Sequence, residues 1–111
     1  YTLSLHDALP IFIDTNVNGG FRMARAAVPH MLAAGWGRIV GLTSGGPNGF
    51  PSEVSYGAAK AALVNYTMSA AYELAPLGIT ANVVNPGATD TGWMTPDIVG
   101  AVLLQPAQQC R

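Results

Sequence analysis

Tyr56 and Lys60 lie four residues apart in the stretch Ser55-Tyr56-Gly57-Ala58-Ala59-Lys60, with Ser44 upstream and Pro86-Gly87 downstream. On a helix such a pair shares one face, with Cβ atoms about 5–6 Å apart. A tyrosine ordinarily loses its proton near pH 10, and a nearby cation favours the phenolate. A lysine one turn away can therefore make Tyr56 a usable proton donor and acceptor near neutral pH. Lys60 is the sole lysine among 111 residues, which contain four tyrosines. The spacing alone is as compatible with a solvated surface pair, so the elements that carry it must decide.

Those elements read as a crossover. Arg38-Ile39-Val40-Gly41-Leu42-Thr43 is a short apolar run between glycines, the pattern of a buried strand, and it ends at Ser44. The loop Gly45-Gly46-Pro47-Asn48-Gly49-Phe50-Pro51 follows, then a helix expected from Val54 to about Ala75. Gly78-Ile79-Thr80-Ala81-Asn82-Val83-Val84 is a second buried-type strand, stopped by Asn85-Pro86-Gly87. Strand, helix and strand in that order predict an α/β fold with parallel strands and a right-handed connection. Ser44 and the residues after Val84 then fall at the carboxyl edge of the sheet, where open α/β folds bind ligands.

Five stretches in order resemble the short-chain dehydrogenase/reductase family: Asn16-Val17-Asn18-Gly19-Gly20-Phe21; Gly37-Arg38-Ile39-Val40 leading to Ser44; Tyr56-Gly57-Ala58-Ala59-Lys60; Ile79 through Asn85-Pro86-Gly87; and Asp90-Thr91-Gly92-Trp93-Met94. The resemblance runs from Asn16 to Met94. One departure is visible: the interval from Ser44 to Tyr56 is one residue shorter than the family's usual spacing, which reads as a deletion in the loop.

The resemblance implies a partial doubly wound Rossmann-type parallel sheet and an NAD(P)-dependent oxidoreductase that moves a hydride between a nicotinamide and a carbonyl or alcohol, with 3-oxoacyl reduction as one such reaction. It assigns Asn16, Ser44, Tyr56 and Lys60 as catalytic. Tyr56 is then the acid in reduction and the base in oxidation, and Lys60 tunes it and holds the ribose. Ser44, with Tyr56, binds the substrate oxygen, and Asn16 keeps a proton relay ordered. The cofactor contacts implied are Tyr56, Lys60, Pro86, Gly87, Thr89 and Thr91, the last four beside the nicotinamide. Trp93 and Met94 are candidates to cover the substrate, although such residues in a loop are as often ordinary packing.

Upstream, Tyr1 to Ile11 resemble a translated sequencing-adapter string and are set apart from the fold as an artefact, so His6 and Asp7 carry no chemistry. Residues 12–98 form the partial domain, and 99–111 are expected to be a truncated tail. No G-x-x-x-G-x-G occurs in the chain. The part that grips adenine and pyrophosphate, and that selects NAD or NADP, is therefore expected to be missing. Phe12 to about Ala34 reads as a helix, with Val17, Phe21, Ala24, Val28, Met31 and Leu32 along one face and Pro29 expected to kink it. Asn16, taken alone, is an ordinary helix-terminus polar residue. Arg22 and Arg25 read as solvated, and His30 as a helix-end residue.

Composition narrows the classes further. A formal net charge of −1 with 10% charged residues offers no basic patch for nucleic acid. No apolar run reaches the roughly 20 residues of a membrane span, the lone Cys110 cannot pair within the chain, and no His/Cys cluster has metal-ligand spacing. A cytoplasmic protein is expected. The second long helix is apolar or small almost all round, which calls for burial on more than one face. By resemblance the partner is a second copy, in a homodimer or homotetramer built through the two long helices; an intrachain contact is the alternative. Ser44 also invites a hydrolase reading, but no G-x-S-x-G elbow is present, and His30 precedes the serine without an orienting acid. A catalytically inactive fragment or interaction module is the remaining class, separated from the enzyme by cofactor binding.

Overall fold

The computed structural model describes residues 5–45, 49–50, 52–87, 89–92 and 94–97. In chain order these form α1 (Leu5–Ile13), a π-turn (Asp14–Asn18), α2 (Gly19–Ala34), β1 (Gly37–Leu42), α3 (Val54–Leu74), a 3₁₀ turn (Ala75–Leu77) and β2 (Ile79–Val84). The two strands pair in parallel, with Gly37 opposite Ile79 and Leu42 opposite Val84. Thr43 continues the ladder by one bond, its N–H donating to Val84 O at 2.9 Å. The fold is α/β, a portion of a Rossmann-type parallel sheet.

α3 covers one face of the sheet. Its buried positions, Ser55, Ala59, Leu63 and Thr67, recur every fourth residue and so form one stripe. Opposite them Ile79 and Ala81 of β2 are buried, Ile79 completely. β1 comes closest at Gly41, where an added Cβ would meet Leu63 Cδ2 at 2.9 Å and Thr67 Oγ1 at 3.2 Å. Thr67 keeps its hydroxyl satisfied by donating to Leu63 O at 2.7 Å, which makes a polar residue tolerable in the core. The other sheet face is open: Val40 is 62% exposed and Leu42 57%.

Paired glycine turns bring the strands into register. α2 ends in a Schellman arrangement, in which Gly35 N–H donates to Leu32 O and Trp36 N–H to Met31 O, both at 3.1 Å. Gly35 has φ 66°, a left-handed conformation that glycine adopts without Cβ strain. Gly78, at φ 81°, repeats the device before β2, and an added Cβ there would stand 2.5 Å from Gly35 O. The turns that lead into β1 and β2 therefore rest against each other.

The first helical stretch differs from its sequence expectation in two ways. Helical structure begins at Leu5, seven residues before Phe12, and the interruption is the π-turn at Asp14–Asn18. α2 continues through Pro29 to Ala34. Pro29 and Arg25, the residue whose carbonyl lacks an N–H partner at position 29, are both exposed, so water can meet that carbonyl. In the single chain α3 buries its 55-59-63-67 stripe, while Met68 is 65% and Tyr72 87% exposed.

Candidate active site

Tyr56 lies in the first turn of α3 and Lys60 one turn later. Lys60 does not point along its own helix: Nζ donates to Leu42 O, the last carbonyl of β1, at 3.0 Å. The same ammonium stands 5.6 Å from the centroid of the Tyr56 ring. Ser44 follows two residues after Leu42 and is exposed at the carboxyl edge of the strand. The lysine thus ties the tyrosine-bearing helix to the strand that delivers the serine.

Two aromatic rings hold the half-buried Tyr56 edge-on. Phe12 of α1 lies 5.8 Å away, centroid to centroid, at 75°. Phe50, just before α3, lies 5.1 Å away at 73°. Phe12 also connects to the fourth sequence-predicted residue, because Asn16 Nδ2 donates to Phe12 O at 3.1 Å. Asn16 sits inside the π-turn and is half-buried. π-turns inside helices are frequent at functional sites because they displace a side chain from its regular α position. Sequence reasoning gave neither phenylalanine a role. The signal for Phe12 lies in a contact across some 44 positions of the chain, and that for Phe50 in the packing of a loop on a helix, neither of which a local pattern reports.

The carboxyl edge is clipped together by Asn85. Its Nδ2 donates to Gly45 O at 3.0 Å, and its Oδ1 accepts from Gly87 N–H at 3.0 Å. The loop after β1 and the loop after β2 are joined by one side chain to which the sequence assigned no contact. Beyond it Pro86, Gly87, Thr89 and Thr91 are all exposed, and Thr89 Oγ1 donates to Pro86 O at 3.4 Å. Asp90 Oδ1 accepts from Gly92 N–H at 2.8 Å. Met94 is half-buried; Trp93 and the tail from 98 onward lie outside the described residues.

Lys60 and Tyr56 are therefore linked to the end of β1 and, through Phe12, to Asn16, while Ser44 follows two residues beyond that strand end. Asn85, Pro86 and Gly87, which follow β2, make a second rim on the same edge. A hydroxyl, an ammonium and exposed loop backbone are groups suited to a ribose and a carboxamide. Among the described residues no cluster has the makings of a metal site. A separate cleft of about 430 Å³ between α2 and α3, lined by Phe21, Arg25, Val28, Tyr66 and Glu73 among others, contains none of these residues.

A parallel strand-helix-strand unit with a tyrosine-lysine pair at its carboxyl edge defines a Rossmann-type domain. Its family is settled by comparison: the family model described as short chain dehydrogenase matches residues 3–98, and the chain belongs to that family. It is 54% identical over 63 residues to the uncharacterized oxidoreductase YjdA of Bacillus subtilis, covering 56% of this chain and 25% of that protein. Against the 3-oxoacyl-[acyl-carrier-protein] reductase FabG of Rickettsia bellii identity is 43% over 76 residues, 68% of this chain and 32% of that one. The solved structure of NAD+-bound xylitol dehydrogenase superposes with a TM-score of 0.68 at 35% identity, over 73% of this chain and 32% of that chain. The chain spans about a quarter to a third of these relatives. No helix among the described residues is long and apolar enough to cross a membrane.

Proposed function

We propose that this chain is the substrate-side portion of an NAD(P)-dependent oxidoreductase that interconverts a carbonyl and an alcohol. The observation that carries the reading is the Lys60 bond to Leu42 O, which ties the helix bearing Tyr56 to the strand end that leads into Ser44. When bound, the nicotinamide would supply or accept the hydride. The residues of the chain would do the rest.

Tyr56 would give its hydroxyl proton to the substrate oxygen in reduction and take it back in oxidation. Lys60, which has two ammonium donors left after its bond to Leu42, would hold the ribose beside Tyr56. Ser44 would donate to the same substrate oxygen and orient it. Asn16, anchored on Phe12 O, would keep the proton path from Lys60 ordered. Pro86, Gly87, Thr89 and Thr91 would border the carboxamide, on the rim that Asn85 holds in place. The 3-oxoacyl reductase relative supports an acyl-chain ketone as the substrate class.

The nucleotide fit is one-sided. The nicotinamide end has donors, whereas this sequence holds no glycine-rich turn for a pyrophosphate. The full-length protein would supply that turn, act in the cytoplasm, and assemble as a homodimer or homotetramer through α2 and α3. The exposed Phe21, Met68 and Tyr72 on those helices support that assembly.

A second reading, an inactive fragment or interaction module, is favoured by the uncovered sheet face at Val40, Leu42 and Val84. One experiment separates the two. NADH and NADPH are titrated against the full-length protein by nucleotide fluorescence, and nucleotide oxidation is then followed on adding an acetoacetyl thioester. Saturable binding with ketone-dependent oxidation is expected. Absence of binding to either nucleotide removes the enzyme reading.

A further inference from the structure

Phe50 packs against the residue that follows each of two proposed site residues. A Cβ built on Gly45, next to Ser44, would stand 3.1 Å from Phe50 Cδ2. One built on Gly57, next to Tyr56, would stand 2.7 Å from Phe50 Cβ. The first contact is with a ring edge, but the second is with an atom that cannot move unless the backbone moves. Glu53 N–H donates to Phe50 O at 3.1 Å, fixing that backbone to the start of α3. The half-buried ring then meets Tyr56 edge-on at 5.1 Å. Phe50 therefore fills the space between the end of β1 and the first turn of α3, and both flanking glycines are bare where it does so.

A hydroxyl that donates a proton and a second that orients the same oxygen must both lie within about 2.6–3.2 Å of one atom. Their mutual spacing is then the critical distance, and a misplacement of about 1 Å can cost about 100-fold in rate. Resting on the oxidoreductase reading above, we propose that Phe50 is a positioning residue that sets the separation of the Ser44 and Tyr56 hydroxyls. It acts as a wedge seated on Gly45 and Gly57.

The test uses the full-length protein. Phe50→Leu keeps an apolar side chain but loses the ring, and is expected to lower kcat by about 10- to 100-fold while leaving the nucleotide KM within about twofold. Phe50→Tyr, which retains the ring, is expected to restore kcat to within about threefold of wild type. In a Ser44→Ala background the Phe50→Leu change should cost less than about threefold, because the spacing it disturbs no longer has a second hydroxyl. Equal losses with and without Ser44, or an unchanged kcat in Phe50→Leu, overturn the proposal. Gly57→Ala, which drives Phe50 away by a different route, must reproduce the kcat loss if Phe50→Leu does not fold. In protein labelled with 3-fluorotyrosine, the Tyr56 resonance, assigned by Tyr56→Phe, should shift in Phe50→Leu. That readout does not need turnover: a wild-type protein without activity defeats the oxidoreductase reading, while an unmoved resonance defeats the role of Phe50.

Discussion

The Lys60 ammonium donates to the carbonyl oxygen of Leu42, 18 residues earlier in the chain, at 3.0 Å. The bond joins the second turn of α3 to the last residue of β1. It orients the lysine towards the sheet edge, leaving the Tyr56 ring 5.6 Å from Nζ on the same helix face. A charged donor on a backbone acceptor is stronger than a neutral hydrogen bond, but solvent around the half-buried lysine weakens its share of folding stability. Positioning is the larger consequence.

Lys60→Met therefore separates the two roles. In the full-length protein the unfolding free energy is expected to change by no more than about 0.5–1 kcal/mol, whereas turnover falls by roughly 100-fold or more. Urea unfolding beside steady-state kinetics measures both. A stability loss large enough to explain the rate loss would sink the positional role of Lys60.

Tyr56→Phe deletes a hydroxyl and retains the ring that Phe12 and Phe50 contact edge-on. The fold should persist, with turnover down by about 10²–10⁴-fold. Circular dichroism checks the first expectation, and ketone-dependent nucleotide oxidation the second. Wild-type turnover in this variant removes Tyr56 from the chemistry.

Leu63 is 7% exposed and packs over Gly41 in the centre of the α3 stripe. Leu63→Ala in the full-length protein should cost about 2–5 kcal/mol, the range for a core leucine whose neighbours cannot close the gap. Denaturant unfolding gives the value. A loss under about 1 kcal/mol would mean that α3 does not seal the sheet through this residue.

The 111-residue chain on its own should aggregate and bind neither nucleotide. Its two strands leave both sheet edges unpaired among the described residues, and unpaired edges template association. Val40 and Leu42 add exposed apolar surface on the open face. Size exclusion with fluorescence titration of NADH and NADPH is the measurement. A monodisperse chain binding either at micromolar affinity contradicts this expectation.

Local pattern was enough for β1, α3 and β2, each of which falls within about a residue of its expected bounds, and for their parallel pairing. Apolar runs between glycines and a long small-residue stretch report backbone preference directly, and a strand-helix-strand order constrains direction. Tyr56 and Lys60 share a helix face for the same local reason. α2 accommodates Pro29 because a proline lacks only one donor and an exposed helix turn can tolerate that.

Only the tertiary structure decided where Lys60 points, since its acceptor, Leu42 O, belongs to another element. The same holds for Asn85 joining Gly45 to Gly87, and for Gly78 resting on Gly35 O. Phe50 between Gly45 and Gly57, and Phe12 between Asn16 and Tyr56, likewise exist only once helix and strand are packed. The π-turn around Asn16 is a choice between nearly equivalent backbone hydrogen-bond patterns, and residue types do not report it. Spacing along the chain determines which side chains share an element; packing between elements determines which atoms meet, because contact depends on close fit across distant segments.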